Sequence, residues 1–140
     1  MASANKALVL GDFELATLEY LWANDSGNAK AVHAVLGRTR GNSLNTVQST
    51  LDRLYKKGLL ERQKIGHAFH YRCLFSRTDV LARKIGELAA ELSGGEMKAV
   101  FAAFIEFTSR LDTSKIEELE ALIADYKKAR GDGETGSNGR

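Results

Sequence analysis

Between residues 44 and 75 the spacing of apolar residues changes period, and few folds accommodate that change. Leu44, Val47, Leu51 and Leu54 recur at the spacing of a helix with one buried face. Gly58 stands where a helix over roughly 44–57 would end. Over 59–65 and again over 68–75 the pattern alternates, with Phe69, Tyr71 and Cys73 on one side of the second run. Gly66-His67 separates the two runs, so they read as a β-hairpin with a tight turn.

Upstream, residues 12–23 predict a helix whose apolar face holds Phe13, Leu15, Ala16, Leu18, Leu21 and Trp22. Asp12 is its expected N-cap, and the acidic first turn suits the helix dipole. NDSGN (24–28) reads as a turn. Residues 29–38 form a short second helix with Val32, Val35 and Leu36 inward. A polar break follows, and Ser43 is placed to cap the third helix. Three short helices and then a hairpin is the winged helix-turn-helix order. In that arrangement the third helix enters the DNA major groove and the hairpin tip touches the backbone.

The rest of the chain is helical, and proline is absent throughout. Residues 76–92 carry Ser76 or Thr78 as cap, and Ser93-Gly94-Gly95 breaks that helix. Residues 96–111 are apolar on most sides. Thr113 or Ser114 then caps a last helix with Ile116, Leu119, Leu122, Ile123 and Tyr126 as its stripe. The expected fold class is mainly α with a small β-hairpin wing. We expect a winged-helix DNA-binding domain over 8–75, a helical dimerisation domain over 76–130, and a disordered Gly-rich tail over 131–140.

Charge separates along the same lines. Net charge is only +2, yet residues 27–75 carry nine Lys and Arg against Asp52 and Glu61 alone. A basic middle between near-neutral flanks is the footprint of a polyanion-binding module. The third helix opens with short hydrogen-bonding side chains, Asn45, Thr46, Gln48 and Ser49, and closes with Arg53, Lys56 and Lys57. Asn and Gln pair bidentately with adenine, and Ser or Thr meets either base. The cations, with Arg62, Lys64, His67 and Arg72 of the wing, would meet phosphates and supply salt-dependent affinity. Expected DNA contacts are therefore Ser43, Asn45, Thr46, Gln48, Ser49, Arg53, Lys56, Lys57, Arg62, Lys64 and His67.

The 96–111 helix is too apolar for the surface of a small subunit, because an all-round apolar helix must be buried. A homodimer is the economical cover, and two-fold symmetry matches a palindromic site. The expected dimer contacts are Leu81, Ile85, Leu88, Val100, Phe101, Phe104, Ile105, Phe107, Leu119, Leu122 and Ile123.

Other chemistry finds no support. There is no phosphate loop, nucleophile elbow or His-Glu metal motif, so no enzyme and no cofactor is expected. His33, His67 and His70 do not converge on a metal, and lone Cys73 excludes an intramolecular disulfide and reads as a small hydrophobe. Trp22 reads as a core anchor. No signal peptide or membrane span is read, so the expected location is cytoplasmic.

The runs LGDFELATLEYLW (10–22), NTVQSTLDRLYKKGLLERQKIGHAFHYRCL (45–74) and IEELEALI (116–123) resemble the BlaI/MecI/CopY family of bacterial repressors. The resemblance covers about 8–130. Its most specific parts are Thr46 to Leu60 and the Lys64 to Tyr71 wing. It implies a homodimer on a dyad-symmetric operator, dimerised through C-terminal helices, repressing resistance or copper-homeostasis genes. It also implies that Asn45, Thr46, Ser49 and Arg53 hold the main recognition positions.

This chain lacks the Cys-x-Cys cluster of copper-responsive members. It has Ala103-Phe104 where antibiotic-responsive members are cleaved at Asn-Phe. The expected mechanism is promoter occlusion, with release when proteolysis, a ligand or oxidation destabilises the dimer. The competing readings are a winged-helix protein-interaction module, which would expose aromatic or aliphatic anchors on the third helix, and a non-specific architectural DNA binder.

Overall fold

The structure, a computed structural model, describes residues 7–137. Helix α1 spans Asp12–Asn24. Its cap lies one residue earlier than expected: Gly11 is the N-cap, and the Glu14 carboxylate accepts the Gly11 backbone N–H at 3.0 Å. Asp12 is instead the first helical residue, where its charge faces the positive end of the dipole.

Helix α2 is continuous but changes winding. Ala29–Val32 is α-helical, His33–Gly37 is a π turn and Arg38–Arg40 is α-helical again. The π turn widens the helix by one residue, so the 3.6-residue count fails within it. Val35, expected inward, is half exposed. Gly37 is buried because the His33 ring occupies the space that a Cβ there would need.

Helix α3 spans Leu44–Lys56. Ser43 caps it as the sequence predicts, its Oγ accepting the Thr46 N–H at 3.2 Å. Val47, Leu51 and Leu54 are fully buried, and Leu44 partly so. Gly58 leaves the helix at φ 82.

The wing is β1 (Leu60–Ile65) against β2 (Ala68–Cys73), antiparallel, with Leu60 opposite Cys73, Arg62 opposite Tyr71 and Lys64 opposite Phe69. Gly66 alone of the two turn residues has positive φ, the pattern of a type II′ turn. Gly27, read from sequence as part of a turn, pairs with β2. Its N–H donates to the Tyr71 carbonyl at 3.0 Å, and the Tyr71 N–H donates back at 2.9 Å. Leu18, Leu21, Val32, Val47, Leu51, Leu54, Leu59, Leu60 and Tyr71 close one core between the three helices and this sheet.

Helix α4 spans Arg77–Leu92, with Ser76 as its cap. Its first turns belong to the winged-helix unit, which runs to Leu88, and Val80 is buried in that unit's core. Glu87 accepts the Leu8 N–H at 2.9 and 3.1 Å, and Lys84 donates to the Leu8 carbonyl at 2.6 Å. Trp22 stands half-buried beside the core. Its indole N–H donates to the Phe75 carbonyl at 2.9 Å, and the Arg77 guanidinium lies 4.9 Å from the ring centroid.

The second unit, from Ala89 onward, contains α5 (Met97–Thr108) and α6 (Thr113–Ser137). Asp112, rather than Thr113 or Ser114, caps α6: its Oδ1 accepts the Ser114 hydroxyl at 2.5 Å and the Lys115 N–H at 3.0 Å. These bonds, Ser114's first, hold the Asp112 carboxyl below its ordinary range. The helix continues over 131–137, where a disordered tail was expected. Extending an existing helix adds one hydrogen bond per residue fixed, and no proline stops it. Residues 138–140 lie outside the described residues.

Candidate nucleic-acid interface

The exposed side of α3 begins with the side chains the sequence singled out. Asn45, Thr46, Gln48 and Ser49 are all exposed. Two are partly engaged: the Thr46 hydroxyl lies 3.0 Å from Ser43 Oγ, and Ser49 Oγ donates to the Asn45 carbonyl at 2.9 Å. A hydroxyl that donates to its own helix keeps acceptor lone pairs for a partner. Asn45 and Gln48 have no intramolecular side-chain hydrogen bond among the described residues. Gln48 also borders a groove of about 400 Å³ between α3, the start of α2 and the wing, with Asn28, Lys30, His67 and Phe69 among its walls.

The cations divide into two sets. Lys64 and His67, at and beside the wing tip, are exposed and have no ionic partner among the described residues. The same holds for Lys30, Arg38 and Arg40 on α2. The α2 cations were counted in the basic segment but not picked as contacts, and their only sequence signal was that charge bias.

Arg53, Lys56, Lys57 and Arg62 are all paired internally. Lys56 binds Asp52 at 2.9 Å on the helix surface. Lys57 is only 33% exposed and donates to Glu14 Oε2 at 2.7 Å and to the Val9 carbonyl at 2.8 Å. Arg53 lies 3.6 Å from the same carboxylate oxygen. Arg62 points from β1 toward α3, 3.3 Å from Asp52 and stacked between two aromatic rings. On the opposite face of the wing, Arg72 pairs with Glu61 at 3.3 Å.

Glu14 is the buried hub of this arrangement. Burial pushes its carboxyl upward. The hydrogen bonds from Lys57 and the Gly11 N–H, with the charges of Lys57 and Arg53, outweigh that and hold it below the ordinary carboxylate range. The α1 N-terminus is thereby bonded to the far end of α3.

The expected dimer contacts fall on three helices. Leu81, Ile85 and Leu88 are exposed on α4, Phe101, Phe104, Ile105 and Phe107 on α5, and Leu122 and Ile123 on α6. Val100 and Leu119 are half-buried. Burial also pushes the Cys73 thiol up to about 11. Among the described residues no group of His, Cys, Asp or Glu is arranged to hold a metal ion. No helix among them is long and apolar enough to cross a membrane.

A family model described as "Penicillinase repressor" matches residues 10–125. The chain belongs to the penicillinase repressor family. A Staphylococcus aureus penicillinase repressor is 25% identical over 125 residues, covering 89% of this chain and 98% of the relative. Its Bacillus licheniformis counterpart is 27% identical over 121 residues, covering 86% and 94%. A solved structure, the solution structure of the DNA-binding domain of the repressor BlaI, is 34% identical with a TM-score of 0.48, covering 53% of this chain and 90% of that one. Penicillinase repressor membership agrees with the resemblance drawn from Thr46 to Leu60 and the Lys64 to Tyr71 wing.

Proposed function

We propose that this penicillinase-repressor family member is a sequence-specific DNA-binding transcriptional repressor. It acts as a homodimer on a dyad-symmetric operator and controls resistance or stress-response genes. The observation that carries the reading is the exposed start of α3, where a capped helix offers Asn45, Thr46, Gln48 and Ser49 beside a wing tip whose Lys64 and His67 have no ionic partner among the described residues. Asn45 and Gln48 read base edges, Thr46 and Ser49 let the backbone approach, and Ser43 holds the first turn in place. Lys64, His67 and the exposed Arg53 and Lys56 meet phosphates. Lys57, engaged at both Glu14 and Val9, braces α3. An interaction module would expose apolar anchors on this face instead.

The homodimer forms through the apolar residues of the C-terminal helices. Phe101 is 63% and Ile105 67% exposed in the single chain, more apolar surface than isolated residues explain. Two copies then occupy successive major grooves and exclude polymerase. Loss of the dimer removes both the second half-site's contacts and the avidity joining them.

The test is selection of genomic fragments by the purified protein at near-physiological salt, followed by sequencing. A short dyad motif upstream of a few genes is expected, and those genes name the signal. Binding with no motif that vanishes as salt rises would make it an architectural binder. No binding at all would leave the interaction module.

A further inference from the structure

Arg62 sits in an unusual place for a phosphate contact. Its side chain leaves β1 on the same face as Tyr71 and Phe69, the face turned to α3, and is 26% exposed. The guanidinium carbon lies 4.0 Å from the Tyr55 ring centroid and 4.1 Å from that of Phe69. The guanidinium also pairs with Asp52 at 3.3 Å. Asp52 and Tyr55 belong to α3, Phe69 to β2 and Arg62 to β1. One planar cation therefore ties the wing to the recognition helix at a single point.

We propose that Arg62 is a positioning residue: it clamps the wing at a fixed angle to α3, so that Lys64 meets the DNA backbone without first being ordered. The proposal rests on the DNA-binding reading above. Lys64 lies two residues further along β1 on the same face, opposite Phe69 in the register, with no ionic partner among the described residues. A guanidinium suits the clamp, since its carbon lies over two rings while its Nη1 donates to the Asp52 carboxylate. An ammonium keeps the charge and loses the stacking plane.

Salt dependence separates a clamp from a phosphate contact. Removing a phosphate contact lowers the slope of log K against log salt by about 0.9, so the two lines converge at high salt. Loosening a clamp keeps the contact but adds an ordering cost, so the lines stay parallel. We would titrate operator recovered from the fragment selection, or random duplex, over a range of salt with the wild-type full chain, R62K, F69L, K64A and R62K/K64A. Circular dichroism at the titration temperature would verify that each variant is folded.

The clamp predicts that R62K and F69L each bind about tenfold more weakly with unchanged slope, because R62K abolishes the stacking on both rings and F69L removes one of the two rings. K64A lowers the slope, and R62K costs little further in the K64A background because the phosphate contact it prepares is gone. Wild-type affinity for R62K, or an R62K penalty undiminished in K64A, would overturn the clamp. Wild-type protein that binds no duplex in a salt-dependent way would instead overturn the DNA-binding reading.

Discussion

Replacing Glu14 by Gln tests the buried hub directly. Gln keeps the shape and can still accept the Gly11 N–H, but it removes the charge facing Lys57 at 2.7 Å and Arg53 at 3.6 Å. Breaking a fully buried ion pair costs about 3–5 kcal/mol. Here the carboxylate is 11% exposed, Lys57 is 33% exposed and keeps its bond to the Val9 carbonyl, and Arg53 reaches water. An expected loss of about 1–2 kcal/mol follows, or a fall of roughly 5–15 °C in the midpoint of a domain this size.

The sign with pH is fixed by linkage. The folded carboxyl titrates below its ordinary 4.5, so its stabilisation is complete above that value and lost as pH falls through the lowered folded value. Urea unfolding of wild type and Glu14→Gln should therefore differ fully at neutral pH, with the difference shrinking in acid. Equal stabilities at neutral pH, or a gap that does not close in acid, would refute the hub.

Gly27→Ala should destabilise by about 1–3 kcal/mol, because its Cβ would stand 3.1 Å from Tyr20 Cε1 and 3.5 Å from Leu21 while the backbone is held by Tyr71; urea midpoints measure it. Asn45→Ala should lower the ratio of operator to random-duplex affinity by about 1–3 kcal/mol in competition titrations, with little change in stability. Cys73, with its thiol raised to about 11, should alkylate slowly at mildly alkaline pH and rapidly once denatured, as followed by mass spectrometry. Fast labelling of the folded protein would mean that the thiol is far more open than its burial indicates.

Local rules made α3 and the wing legible. A Ser cap, three inward aliphatics and a terminal glycine in α3 all stand where period and capping chemistry put them, and the two-residue turn of the wing follows from Gly66 alone. What escaped depended on partners distant in sequence. Gly27 pairs with Tyr71 across 44 positions, and no periodicity marks it. Glu14 looked like a first-turn acid suited to a dipole, yet it caps Gly11 and receives Lys57. The basic bias of 27–75 was visible as a count. It could not tell that Arg53 and Lys57 answer Glu14, or that Lys56 and Arg62 answer Asp52, while Lys64 stays unpaired among the described residues. Val35 failed because a π turn resets the phase on which the inward assignment relied.

The bond between Trp22 and the Phe75 carbonyl gives the protein a built-in optical gauge. Trp22 is the only tryptophan, and its indole is fixed where the hairpin hands over to α4, with a guanidinium beside the ring. Its emission therefore reports the winged-helix unit, while far-ultraviolet dichroism weighs every helix, including α5 and α6. Coincident midpoints for the two signals would mean that the units melt as one cooperative body; separated midpoints would read out each unit's own stability without any label.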